Sequence, residues 1–329
     1  MTPQRVALLA AVSRAATLLV SCTDAPDAGE GATLPEPVPS DTSPGSVASE
    51  PVPASVPGRY VDEVFEATPT STDLDYAVAP DLASGAPQSL VLDQWEPAGD
   101  TLTVRPAIVW IHGGAFRSGD KSNFSETAQA WARRGYVTFS INYRLDAGNR
   151  CQAVQDGDIA NPAVRAAETD RCNAAIIAAQ HDAQAAVRWV RANAAGLGVD
   201  PDRIAVGGGS AGAVTAVNVA QRSEDPGTVG ANLSVDSSVA AAVAMSGCQY
   251  FPEDIDGADA PLHLLASEFD AAVPFECVTE TENLARAAGV EVGTAYYKGE
   301  GAHAVGLYSK YSAAVDELWT AFLVEHLDL

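Results

Sequence analysis

Ser210 stands in Gly208-Gly-Ser-Ala-Gly212, a G-x-S-x-G pentapeptide between the apolar run Ile204–Val206 and a proline-free stretch of small residues from Ala211. A buried strand, a sharp glycine turn and a helix start would hold that hydroxyl strained and accessible. At a helix N-terminus, free amides and the positive end of the dipole favour a developing negative charge. The chemistry this suits is attack by a serine hydroxyl on a carbonyl. That chemistry also needs an oxyanion loop upstream, then an acid and a histidine downstream.

The same glycines permit another reading. Gly207 to Gly212 satisfies G-x-G-x-x-G, the dinucleotide fingerprint. That site wants an acidic residue about 20 positions on, at the end of the next strand. The distance lands near Val229 to Ala231, in a glycine-containing connection after Glu224-Asp225-Pro226-Gly227, where no strand ends. The acyl-transfer requirements are met instead, and no cofactor is expected.

The elements that must position these residues alternate between strand and helix patterns. Val61 to Glu66 and Gln88 to Trp95 alternate apolar and polar as half-exposed strands do, and Asp73 to Tyr76 adds a short edge. Ala107 to Ile111 and Tyr136 to Ile141 are continuous apolar runs and read as interior strands, with a helix over about 124 to 134 between them. Residues 144 to 173 read as an irregular polar insertion, placed to line the site as a small lid. Residues 174 to about 195 form an amphipathic helix with Ile177, Val187, Val190 and Ala194 near one face. Beyond the serine, strands are expected at Val239 to Met245, Pro261 to Ala266 and Val290 to Tyr297, with helices over about 278 to 288 and 311 to 327. Such alternation predicts a mostly parallel sheet covered on both faces.

The chain of 329 residues is long enough for one large core, and 43 acidic against 19 basic residues give a formal charge of −24. A nucleic-acid partner is excluded on that charge. Residues 1 to 22 read as an export signal: Arg5 precedes two short apolar runs that end at Leu19-Val20-Ser21-Cys22, which resembles a bacterial lipobox with Cys22 as the lipidated residue. Membrane attachment would then run through Cys22. Residues 23 to 58 hold eight prolines and few aliphatics, the composition of an extended tether, and residues 59 to 329 remain as the catalytic domain. Four cysteines besides Cys22 allow three pairings in an oxidising compartment. The most economical is Cys151 with Cys172, within one loop, and Cys248 with Cys277, between loops after successive strands; free buried thiols are the alternative.

Taken together, His112-Gly-Gly-Ala-Phe116, Asp200-Pro-Asp-Arg-Ile204, Gly208-Gly-Ser-Ala-Gly212, Asp270 with Val273-Pro274, and His303 resemble the α/β-hydrolase fold, in the carboxylesterase group related to hormone-sensitive lipase. The resemblance covers about residues 60 to 329. It implies an α/β architecture with a mostly parallel eight-stranded sheet, helices on both faces and a small insertion after the fourth main strand. It further implies Ser210 as nucleophile, His303 as base, Asp270 as the acid that orients the imidazole, and the backbone amides of Gly114, Ala115 and Ala211 as oxyanion donors. Glu268 is the nearest rival to Asp270. The chain departs from the commoner His-Gly-Gly-Gly at Ala115, and Gly209 replaces a residue that is often larger or charged.

Phe116, Tyr143 and Tyr250 are the aromatics that can line a substrate pocket. No metal site is expected, because His181-Asp182 and Glu325-His326 are adjacent pairs that do not face one ligand on a helix. The resemblance thus implies an exported serine esterase acting on a small or medium carboxylic ester, from short acyl esters to acetyl or feruloyl groups on polysaccharides and polyester oligomers. The rivals are a serine peptidase or amidase on the same fold and a non-catalytic cell-surface binding protein. Oligomeric state is not legible.

Overall fold

The computed structural model describes residues 56–329. The expected export signal, Cys22 and all but the last three residues of the expected tether lie outside the described residues. No described helix is long and apolar enough to cross a membrane.

Eight strands form one sheet: β1 (Glu66–Pro80), β2 (Pro87–Ala98), β3 (Arg105–Ile111), β4 (Val137–Ile141), β5 (Val199–Gly209), β6 (Ala241–Met245), β7 (Leu262–Ser267) and β8 (Val292–Tyr297). Among the described residues seven α-helices accompany them: α1 (Ser125–Ala132), α2 (Cys151–Gln155), α3 (Pro162–Ala192), α4 (Ala194–Leu197), α5 (Ala211–Gln221), α6 (Phe275–Ala288) and α7 (Ala304–His326). The sheet order is β1-β2-β4-β3-β5-β6-β7-β8. β1 and β2 run antiparallel at one edge, and every pairing from β4 through β8 is parallel. The chain goes outward from β3 to β4 and then back over β3 to β5. In open α/β sheets such a reversal, at the carboxyl ends of the strands, is where ligands bind.

Interior strands are apolar throughout because both their faces are covered, and their period-two alternation sorts side chains between two core layers. Along β3, Ala107, Val109 and Ile111 join an aliphatic and alanine-rich layer with α3, α5 and α6. Ile108 and Trp110 join the opposite layer with α1 and α7, where Trp110 packs against Trp131 and Trp319 at ring-centroid separations of 6.1 and 6.3 Å. All three indoles are fully buried.

Several boundaries differ from the sequence expectation. The first strand begins at Glu66, and Asp73–Tyr76 belongs to it rather than forming a separate edge. Residues 61–65 instead form turns and bends, held where the Val64 and Phe65 amides donate to the Arg133 carbonyl. The 144–173 insertion is only half irregular. α3 begins at Pro162, because Asn161 caps it by accepting from the amides of Ala163 (2.9 Å) and Val164 (3.2 Å) and Pro162 supplies a pre-set φ at the first turn. A polar helix surface at residues 162–173 imitates a loop in composition. Ile176 rather than Ile177 is fully buried, and Ala194 lies in α4, beyond the end of α3. Cys277 falls in the first turn of α6, not in a loop. The cysteines are joined as Cys151–Cys172 and Cys248–Cys277.

Candidate active site

β5 delivers the chain to Ser210 and α5 carries it away, and the two approach more closely than side chains would allow. A Cβ on Gly212 would lie 2.0 Å from the Ile111 carbonyl oxygen, so only glycine fits there. Ser210 itself sits at φ 56°, ψ −124°, a conformation that a non-glycine residue adopts only under constraint. The constraint is visible. Its amide donates to the Met245 carbonyl at 2.8 Å, and its carbonyl accepts from the amides of Ala213 and Val214 at 2.9 and 3.0 Å.

His303 reaches the same point from the loop between β8 and α7. Its Nε2 lies 2.8 Å from the Ser210 Oγ, and its Nδ1 lies 2.7 Å from Asp270 Oδ2. In that geometry the serine hydroxyl donates to Nε2 while Nδ1–H donates to the carboxylate. Asp270 follows β7; its Oδ1 accepts from the amides of Ala272 (2.8 Å) and Val273 (3.1 Å). Burial pushes the Asp270 carboxyl up, but the His303 hydrogen bond, the two amides and the Ser246 hydroxyl outweigh it, leaving the group below the usual carboxylate range. Asp270 is therefore favoured as the carboxylate beside the imidazole. Glu268 is turned away, accepting from the Gly299 amide at 2.8 Å.

Ser246 is a supporting residue that sequence reasoning missed. It follows β6 at φ 54°, and its Oγ accepts from the Ala304 amide at 2.9 Å. It thereby ties the end of β6 to the residue after His303. A polar Ser-Gly pair at the end of an apolar strand was the available signal.

The His112–Phe116 loop passes beside Ser210. Gly114, Ala115 and Phe116 all have positive φ, at 117°, 53° and 60°, a run of left-handed residues that turns the loop back sharply. Gly114 admits no side chain, since a Cβ would sit 1.9 Å from the Ser118 carbonyl oxygen. Among the described residues the amides of Gly114 and Ala115 donate to no backbone or side-chain acceptor, and the Ala211 amide opens a helix where no intrahelical partner exists. Ala115 and Ala211 line a cavity beside Ser210, together with Phe116 and Tyr250.

Tyr143 is placed elsewhere. It is buried under the loop, stacked on His112 with ring centroids 4.4 Å apart, and its hydroxyl donates to the His112 carbonyl at 2.9 Å. It buttresses the loop and does not line the cavity. Burial lowers the His112 pKa and outweighs the Gly113 carbonyl and Asp120, which favour its charge. His181 contacts Asp225 at 3.3 Å, and His263 Nδ1 accepts from the Trp319 indole at 3.1 Å. His326 comes together with Glu325 and, from the residue before β8, Glu291, so that their ligand atoms lie within 4.8 Å of one another; adjacency in sequence concealed this grouping.

Comparisons with known proteins agree with this architecture. A family model described as alpha/beta hydrolase fold matches residues 171–264, and one described as BD-FAE matches residues 92–165. Secreted lipase 5 of Gibberella zeae is 35% identical over 109 residues, 32% of this chain and 18% of that protein. Phenmedipham hydrolase of Pseudarthrobacter oxydans is 32% identical over 40% of this chain and 23% of its own length. The chain thus spans about a fifth of the length of these curated relatives. Among solved structures, Thermogutta terrifontis esterase 2 phosphorylated by paraoxon superposes with a TM-score of 0.61 at 23% identity, covering 78% of this chain and 95% of that one. By its strand order, its serine turn and these likenesses, the chain belongs to the α/β-hydrolase fold.

Proposed function

We propose that this protein is a serine hydrolase of carboxylic esters that works through an acyl-enzyme on Ser210. The observation that carries the reading is the continuous relay from Ser210 Oγ to His303 Nε2 (2.8 Å) and from Nδ1 to Asp270 (2.7 Å), set beside two undonated amides on a strained loop. Ser210 Oγ attacks the ester carbonyl, and its proton passes to His303, whose positive charge Asp270 stabilises. The amides of Gly114, Ala115 and Ala211 receive the charge that develops on the carbonyl oxygen. His303 returns the proton to the departing alkoxide, and water attacks the acyl-serine by the reverse proton route to release the acid. The names of the relatives, among them Carboxylesterase NlhH of Mycobacterium tuberculosis at 32% identity over 37% of this chain, favour ester over amide bonds.

The test is hydrolysis of p-nitrophenyl acetate by the purified protein and its Ser210→Ala variant, with an anilide run in parallel. Ester turnover that falls by about 10⁴-fold or more in the variant is the expected result. Wild-type turnover of the anilide exceeding that of the ester would replace this reading with an amidase.

Export is part of the proposal. Two disulfides, Cys151–Cys172 and Cys248–Cys277, suit an oxidising compartment, and Cys22 is the proposed site of lipid attachment. Mass spectrometry of the protein isolated from its own cells tests both: a diacylated peptide beginning at Cys22 is expected, and a retained Met1 with all five cysteines as free thiols would exclude them.

A further inference from the structure

Ser210 separates two spaces of very different size. On one side lies a cavity of about 40 Å³, walled by Phe116, Gln155, Val214, Tyr250 and Val273. That is about a tenth of the space on the other side, and it favours a short substituent over a long one. Its outer wall is a polar bridge. The Tyr250 hydroxyl donates to Gln155 Oε1 at 2.9 Å, and Gln155 Nε2 donates to the Ala272 carbonyl at 2.8 Å. Gln155 ends α2, which the Cys151–Cys172 disulfide ties to α3. On the other side is a cleft of about 410 Å³, lined by Gly114, Asn123, Phe124, Gly209, His303 and Val305. Gly209 lies against its wall, where a Cβ would be 3.3 Å from the Phe124 ring and 3.5 Å from Ala304.

The chemistry decides which part of an ester takes which space. The leaving oxygen must accept its proton from His303, and His303 lines the wide cleft and not the small cavity. The acyl substituent continues past the amides of Ala115 and Ala211, which line the small cavity. From this geometry we infer that the site selects a two-carbon acyl group carried on a bulky alcohol, with Gln155 and Tyr250 as the residues that cap acyl length. The inference rests on the ester-hydrolase reading above. The reaction so defined forms acetyl-Ser210 as the alkoxy C–O bond breaks, returns the serine proton to the alcohol through His303, and ends with water releasing acetic acid.

The experiment uses the full chain with p-nitrophenyl acetate, butyrate and octanoate, and with ethyl acetate beside a peracetylated disaccharide. Because an excess methylene or more in a tight pocket is worth roughly 10–200-fold, kcat/KM for acetate should exceed that for octanoate by about 100-fold. The peracetylated disaccharide should match or exceed ethyl acetate. Gln155→Ala should raise the octanoate-to-acetate ratio by about tenfold, and Tyr250→Phe, which keeps the ring but frees Gln155, should raise it less. Val305→Trp, on the exposed rim of the cleft, should lower the ratio of disaccharide to ethyl acetate. These ratios are internal to each variant, so partial loss of folded protein does not move them. Octanoate favoured by the wild type, or Gln155→Ala leaving the ratio unchanged, overturns the acyl filter while the hydrolase reading stands. No turnover of any ester overturns both.

Discussion

The loop that carries Ser210 and the loop that carries His303 meet at a 2.8 Å hydrogen bond, yet they are held by different forces. Ser210 is held by main chain against main chain. Its amide is paired with β6, the helix behind it is wholly buried, and Gly212 lies against the Ile111 and His112 carbonyls. The His303 loop is held largely by side chains: the buried Ser246 and Ser267 hydroxyls bond the Ala304 amide and the Ala302 carbonyl, and a polar clamp lies nearer the surface. Glu300 accepts from the amides of Gly301 (2.8 Å) and Ala302 (3.0 Å) and from the Tyr311 hydroxyl (3.0 Å), and it pairs with Lys310. Those contacts, Lys310 first, bring the Glu300 carboxyl down to about 2. A close-packed turn has no soft coordinate through which to absorb a change, whereas an exposed polar clamp yields by degrees and weakens with salt. The contrast teaches that Ser210 is positioned all-or-none and His303 adjustably.

The strongest test of the adjustable side is Asp270→Asn. It keeps the shape but favours the wrong imidazole tautomer, and kcat for p-nitrophenyl acetate should fall by about 10⁴-fold with KM little changed. A fall of less than tenfold would mean that the His303 loop does not depend on this acid. The next effect tests the rigid side. Gly212→Ala drives a methyl into the Ile111 carbonyl oxygen and should destabilise by about 1–3 kcal/mol or more. Denaturant titration followed by activity of the surviving folded fraction should show both quantities falling together.

Glu300→Gln sharpens the comparison from the other end. Losing one partly covered charge should slow turnover by about fivefold at most. The wild type, not the variant, should then lose activity as salt is raised from low to high. Equal salt dependence of the two proteins would show that Glu300 is not part of the clamp.

The smallest effect lies outside both loops and serves as a control. Burial, reinforced by Asp256, Glu224 and Asp254 and opposed by the Asp256 amide, raises the Asp259 pKa from 3.8 to about 7. Between those values the folded protein holds a proton that the unfolded chain has released, so this group's contribution to stability falls as pH rises through that window. Asp259→Asn should therefore leave Tm nearly unchanged below about pH 4, raise it progressively through the window and raise it most at pH 8, with no change in kcat. A parallel pH dependence of Tm in both proteins would contradict the raised pKa.

Much of the architecture was legible because strands covered on both faces leave a simple trace. Ala107–Ile111 and Tyr136–Ile141 could be little else. The serine turn was legible for a related reason, since close approach of backbone to backbone demands glycine at 208 and 212, and composition records such demands directly. What failed to read correctly was surface helix. Residues 162–173 are polar because they face water, and only the Asn161-Pro162 start signal distinguishes them from a loop.

By itself the sequence determined the order of the elements, the turn at Ser210 and the residue types able to carry the chemistry, because each of these is a local demand on side-chain size, period or backbone freedom. Only the tertiary structure decided that Tyr143 supports a loop, that Ser246 holds the residue after His303, and that Gln155 walls one side of Ser210 while the other side is a wider cleft. Those are relations between residues tens of positions apart. They arise from how the strand ends converge, and no single stretch of chain contains them.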